Sequence, residues 1–140
     1  MGKDSSHENY SNQILLISDD HNFNDLFKVF LKEYDCECII SESYKNIIHL
    51  FKNKFFNPSY CFLDYKLLRW NSEEIFKEIK KQRPSLKVIV LSHFLNTLLI
   101  DSITSVGHAF FIKKPSVIDY SFLKWIFSWL DVNKKDARFY

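Results

Sequence analysis

At 140 residues, 46% of them hydrophobic and 17% aromatic, the chain can bury one core without disulfide staples and is short for two domains. A formal net charge of +2 spread over 26% charged residues gives no basic field of the kind nucleic acid selects, and no apolar run reaches the ~18 residues that span a bilayer. The N-terminus is polar and lacks an apolar signal region, which implies a cytoplasmic protein.

Residues 1–12 read as a disordered leader; Met1-Gly2 with Ser6 meets the loose myristoylation pattern, which is too short to carry weight. Residues 13–18 form an apolar run closed by Asp19-Asp20, and residues 22–33 then carry Phe23, Leu26, Phe27, Phe30 and Leu31 at helical spacing. A second strand is expected over 36–41, followed by a helix over 44–56 with the stripe Ile47, Ile48, Leu50 and Phe51, stopped by Asn57-Pro58. The third strand, 60–63, runs into Asp64. Ser72-Glu73-Glu74 opens a helix that Pro84 ends, because a serine cap and first-turn acids satisfy free N–H groups and the dipole. Strand four covers 86–91, and a helix over 96–106 is expected to end at Gly107 in the left-handed conformation. Strand five covers 108–113, the last helix 117–130, and residues 131–140 a C-terminal tail. Cys36, Cys38 and Cys61 fall inside strand-like runs, where reduced, buried thiols are expected rather than a disulfide or zinc site.

Five strands each followed by a helix, apolar on both faces, imply an α/β fold: a doubly wound, five-stranded parallel sheet with helices on both faces. Right-handed crossovers and the order 2-1-3-4-5 set the ends of strands one, three and five side by side. Asp19, Asp20, Asp64 and the lysine of Lys113-Lys114-Pro115 then meet at one sheet edge. Clustered carboxylates suit a hard divalent cation, and a lysine beside them suits a phosphoryl group.

These residues, in this order and spacing, resemble the receiver domain of two-component response regulators, over residues 13–130. The resemblance implies a flavodoxin-like receiver fold that is no enzyme beyond its own phosphorylation and dephosphorylation. It makes Asp64 the acceptor of a phosphoryl group from a histidine kinase or phosphotransfer protein. Asp19, Asp20 and Asp64, with the backbone carbonyl of Lys66, would hold Mg2+ (or Mn2+). Ser92 would contact the phosphoryl oxygens, Lys114 would pair with them, and Phe111 would change rotamer as the switch. The chemistry is consistent with this assignment, since phosphoryl transfer asks mainly for positioning and charge neutralisation.

Four positions depart from the family pattern. Leu68 and Ser72 stand where a proline and a glycine are usual; Lys66 sets a cation beside the site; and His93 sets an imidazole where a small residue is usual, so Lys66 and His93 are expected to modulate access and lifetime. The departures leave open an interaction module of the same fold that works without phosphorylation. A haloacid-dehalogenase-type phosphatase would need an acid where Lys66 stands.

After residue 130 only ten residues remain, so the expectation is a stand-alone regulator that signals through protein contacts with a downstream target. The last helix carries two apolar stripes. Ile118, Phe122, Trp125, Ile126 and Trp129 are expected to face the sheet; Tyr120, Leu123, Phe127 and Leu130 are expected to form an opposite, partner-binding stripe, with a homodimer as the simplest use of it.

Overall fold

Alternation of apolar side chains at period two builds the sheet, and stripes at period 3.6 build the helices that cover it. The computed structural model describes residues 13–65 and 72–139. They form β1 (Gln13–Ile17), α1 (His21–Lys32), β2 (Glu37–Ser41), α2 (Tyr44–Phe51), β3 (Tyr60–Asp64), α3 (Ser72–Gln82), β4 (Lys87–Ser92), α4 (Thr97–Thr104), β5 (Phe110–Lys113) and α5 (Tyr120–Phe139). All strand pairs are parallel, in the order β2-β1-β3-β4-β5 expected from the sequence.

Each strand feeds two cores. Leu15, Ile17, Cys61, Leu63, Val88 and Val90 enter the layer shared with α2, α3 and α4 through Ile47, Phe76, Ile79 and Ile103. Ile14, Leu16, Phe62, Ile89, Leu91 and Ile112 enter the opposite layer, shared with α1 and α5. Helix starts are fixed by side-chain caps: Asp20, Ser43, Asn96 and Asp119 accept the N–H groups of Phe23, Asn46, Leu99 and Phe122.

Several boundaries differ from expectation for local reasons. α2 ends at Phe51, because the Arg83 guanidinium takes the carbonyls of Phe51 and Asn53 at 3.3 and 3.4 Å and turns the chain there. Gly107 does not adopt the left-handed conformation; that conformation falls instead on Asp35, φ 56°, after α1. Asp35 N–H donates to Lys32 O and Cys36 N–H to Leu31 O, the paired bonds of a Schellman helix end. The last helix begins at Tyr120, behind its Asp119 cap, and runs to Phe139 rather than stopping at Leu130.

The largest correction concerns that helix. The stripe Tyr120, Leu123, Phe127 and Leu130 is not a free surface: Leu123, Phe127 and Leu130 are buried against the sheet together with Ile126. Phe127 lies among the rings of Phe27, Phe30, Tyr34 and Phe62, at centroid distances of 5.8, 5.3, 6.1 and 6.0 Å. Tyr120 is half-buried and donates its hydroxyl to Glu33 on α1. Trp125 is the residue turned out, 54% exposed, while Phe122 and Trp129 flank the contact. Two apolar stripes on one helix compete for the sheet, and the aromatic pocket supplied by α1 and β3 selects the one that carries Phe127. Among the described residues no helix is long and apolar enough to cross a membrane.

Candidate functional site

The alternation that builds the core also decides which polar side chains meet. Ser18, Asp64 and Lys114 continue the rows Ile14-Leu16, Phe62 and Ile112, all on the α1/α5 face. They therefore converge where those rows leave the sheet. Lys114 Nζ lies 3.0 Å from both Asp64 oxygens and 3.9 Å from Asp20 Oδ2. Ser18 Oγ donates to Asp64 Oδ2 at 2.8 Å. The Lys114 ammonium also stands 4.7 Å from the Phe23 ring centroid, a cation–π contact that partly replaces lost hydration. Asp64 and Lys114 are 1% and 2% exposed, so each charge depends on the other and on these neighbours.

Asp20 has a double role. Its Oδ1 caps α1 through Phe23 N–H while its Oδ2 faces the ammonium. Asp19, next to it, is half-buried. Asp20 and Asp64 thus share one positive charge, and their hard oxygens suit a divalent cation. The three expected carboxylates are not preassembled around a metal position, however. Among the described residues no three His, Cys, Asp or Glu side chains form such a group. The ammonium balances Asp64 here. Three carboxylates against one ammonium still leave an excess of two negative charges, the charge of one divalent ion.

Ser92 and Phe111 lie on the other parity, with Val88 and Val90, toward α2, α3 and α4. Ser92 is buried, but its hydroxyl donates to Phe94 O at 2.9 Å and accepts Phe94 N–H at 3.1 Å, and so does not reach Asp64 in this arrangement. Phe111 is half-buried against the same layer. His93 is exposed; its Nδ1 lies 3.3 Å from Lys114 O, which lays the ring against the chain that carries the lysine. Lys113 is exposed. Lys66 and Leu68 lie outside the described residues.

Ser18, Asn24 and Phe23 belong to the site and were not foreseen. Asn24 Nδ2 holds Ser18 O at 2.9 Å, which closes the turn from β1 into α1. The signal for Ser18 was present in the alternation Ile14, Leu16, Ser18. Asn24 and Phe23 become visible only once the helix packs over the strand end. Away from the site, burial raises the Cys38 thiol to about 12, Lys28 opposing and Cys36 adding to the effect, and burial raises Cys61 as well.

The model of the response regulator receiver domain matches residues 14–120. A CheY-like response regulator receiver domain protein of Methanospirillum hungatei JF-1 has the same fold, with a TM-score of 0.69 at 23% identity over 91% of this chain and 99% of that one. The receiver domain of a putative LuxO repressor protein from Vibrio parahaemolyticus gives 0.68 at 22% over 92% and 94%. Chemotaxis protein CheY4 of Vibrio cholerae gives 0.69 at 13% over 84% and 97%. No curated protein sequence matches the chain.

Proposed function

Because the chain belongs to the response regulator receiver domain family, we propose that Asp64 accepts a phosphoryl group from a histidine kinase or phosphotransfer protein, and that the chain passes the signal on through protein contacts. The observation that carries this reading is the buried pair itself, Lys114 Nζ at 3.0 Å from each oxygen of Asp64. A buried ion pair is a poor source of stability, whereas a lysine fixed over a carboxylate is already where phosphoryl charge would arrive.

In the reaction an Asp64 oxygen attacks phosphorus in line, the bond to the donor's nitrogen or oxygen breaks, and the donor leaves with that electron pair. Lys114 then exchanges part of its contact with Asp64 for the phosphoryl oxygens. Ser92 would leave Phe94 O and donate to one of those oxygens, and Phe111 would turn into the space so freed. A magnesium or manganese ion, held by Asp20 and Asp64 with Asp19 in support and the Lys66 carbonyl as a further ligand, would neutralise the remaining charge. His93, whose ring lies against Lys114 O, would narrow the approach of the donor.

Intact mass after incubation with acetyl phosphate tests the reading. The expected result is a gain of one phosphoryl group that requires magnesium and is absent in Asp64→Asn. No gain in the wild type, or an equal gain in Asp64→Asn, refutes it and leaves a receiver-fold interaction module that works without phosphorylation.

A further inference from the structure

The buried hydroxyl of Ser18 has no part in the reaction as written above. It donates to Asp64 Oδ2 over 2.8 Å and accepts the N–H of Asp20 at 3.1 Å, and the Ser18 carbonyl is held by Asn24. A serine hydroxyl has one proton, and here that proton is committed to Asp64, since in its other contact the oxygen accepts. Ser18 is 1% exposed and Asn24 2%, so water does not compete for the bond. The two carboxylate oxygens become unequal as a result. Among the described residues Oδ1 receives Lys114 alone, whereas Oδ2 receives Lys114 and Ser18.

We propose that Ser18 is a positioning residue that reserves Oδ1 as the nucleophile, keeps Oδ2 as the non-reacting oxygen, and shortens the lifetime of the acyl phosphate. The inference rests on the reading of Asp64 as phosphoacceptor. On phosphorylation Oδ1 forms the bond to phosphorus, and Oδ2 becomes the carbonyl oxygen of the mixed anhydride. On hydrolysis the oxygen of a water molecule attacks phosphorus, the P–Oδ1 bond breaks, and its electron pair returns to Asp64; the water's proton leaves with phosphate or solvent. Negative charge then reappears on both carboxylate oxygens. Hydrogen bonds to charged acceptors are stronger than those to neutral ones, so the Ser18 proton stabilises the departing carboxylate more than the anhydride carbonyl. Stabilisation that grows along the reaction lowers its barrier.

The full chain, labelled with acetyl phosphate and magnesium and freed of donor, provides the test, with decay followed by intact mass. Ser18→Ala should lose its label about fivefold to tenfold more slowly than wild type, and Ser18→Thr, which keeps the hydroxyl, should decay within about twofold of it. The carbonyl stretch of the acyl phosphate should move to higher frequency in Ser18→Ala, a change that a merely structural role would not cause. Should Ser18→Ala fail to fold, Ser18→Cys, a weaker donor, should show the same two changes in smaller measure. Equal decay in wild type and variant, or an unmoved carbonyl band, overturns the role of Ser18 and leaves Asp64 as phosphoacceptor. A wild type that never gains the phosphoryl group overturns both.

Discussion

The middle of the sheet and its carboxyl edge are built by the same strands and are equally buried, yet they are stabilised in opposite ways. In the middle Leu15, Leu16, Phe62, Leu63, Ile89 and Val90 are fully buried and apolar on both faces. At the edge, at the last residue of β3 and just past the ends of β1 and β5, Asp64, Ser18 and Lys114 are as deeply buried and carry two charges and a hydroxyl. The middle gains from removal of apolar surface from water, at about 25 cal/mol per Å2. The edge loses hydration of charge and recovers it only through mutual contacts, Lys114 with Asp64 and Ser18 with Asp64. Burial at the edge is kept against its cost, so each contact there is expected to fail differently from a contact in the core.

Lys114→Met separates the two regions most strongly. It leaves Asp64 as a buried, unpaired charge, so unfolding free energy should fall by about 3–5 kcal/mol in urea titrations, and phosphoryl uptake should be lost. Millimolar magnesium should recover part of that stability, as a cation takes the place of the ammonium; a loss that magnesium does not touch would argue against a cation position between Asp20 and Asp64. Phe27→Ala attacks the middle instead, where Phe27 meets Phe23, Phe62 and Phe127. Its cost should be similar, about 3–5 kcal/mol, but the folded fraction should still take up phosphoryl groups at the wild-type rate. If uptake per folded molecule falls as well, the core and the edge are not independent.

A smaller effect is expected at His93. Its ring is exposed and touches Lys114 O, so His93→Ala should change stability by no more than about 0.5 kcal/mol and should speed labelling by acetyl phosphate. Slower labelling would mean that the imidazole assists the reaction rather than crowding it.

Near neutral pH the smallest effect concerns the cysteines. Cys38, with its thiol raised from 9.0 to about 12 by burial, stays protonated near neutrality and should react with alkylating agents far more slowly in the native than in the unfolded chain. Above pH 9 the unfolded chain ionises this thiol and the folded chain does not, so stability should decline as pH rises from about 9 to about 12. Cys38 is half-buried, so a native chain alkylated there as fast as the unfolded one would mean that its remaining cover does not hold the thiol protonated.

The comparison of the two regions also separates what was legible in the sequence from what was not. The apolar middle of each strand and the strand-end positions of Asp20, Asp64 and Lys114 follow from local pattern, runs of apolar residues closed by acids or lysine with helical stripes between them, and the order 2-1-3-4-5 is the doubly wound arrangement that brings those ends together. Hydrogen bonds across the edge do not follow from pattern, because they join residues as far apart as Ser18 and Asp64, or Asp64 and Lys114. Ser92 illustrates the limit. Its place at the end of β4 was legible, but its hydroxyl turns to Phe94, since period two sets it on the face opposite Asp64.

The last helix and Ser18 mark the division most clearly. Periodicity determined that α5 carries two apolar stripes, but hydrophobicity is non-directional and could not say which one is turned inward. That was decided by shape, through a pocket of aromatic rings from α1 and β3 that receives Phe127 and leaves Trp125 at the surface. In the same way local pattern shows that acids and a lysine end separate strands. Their meeting is a long-range event: packing aligns the rows that end in Ser18, Asp64 and Lys114 on one face, and a serine hydroxyl and a lysine ammonium then converge on Asp64.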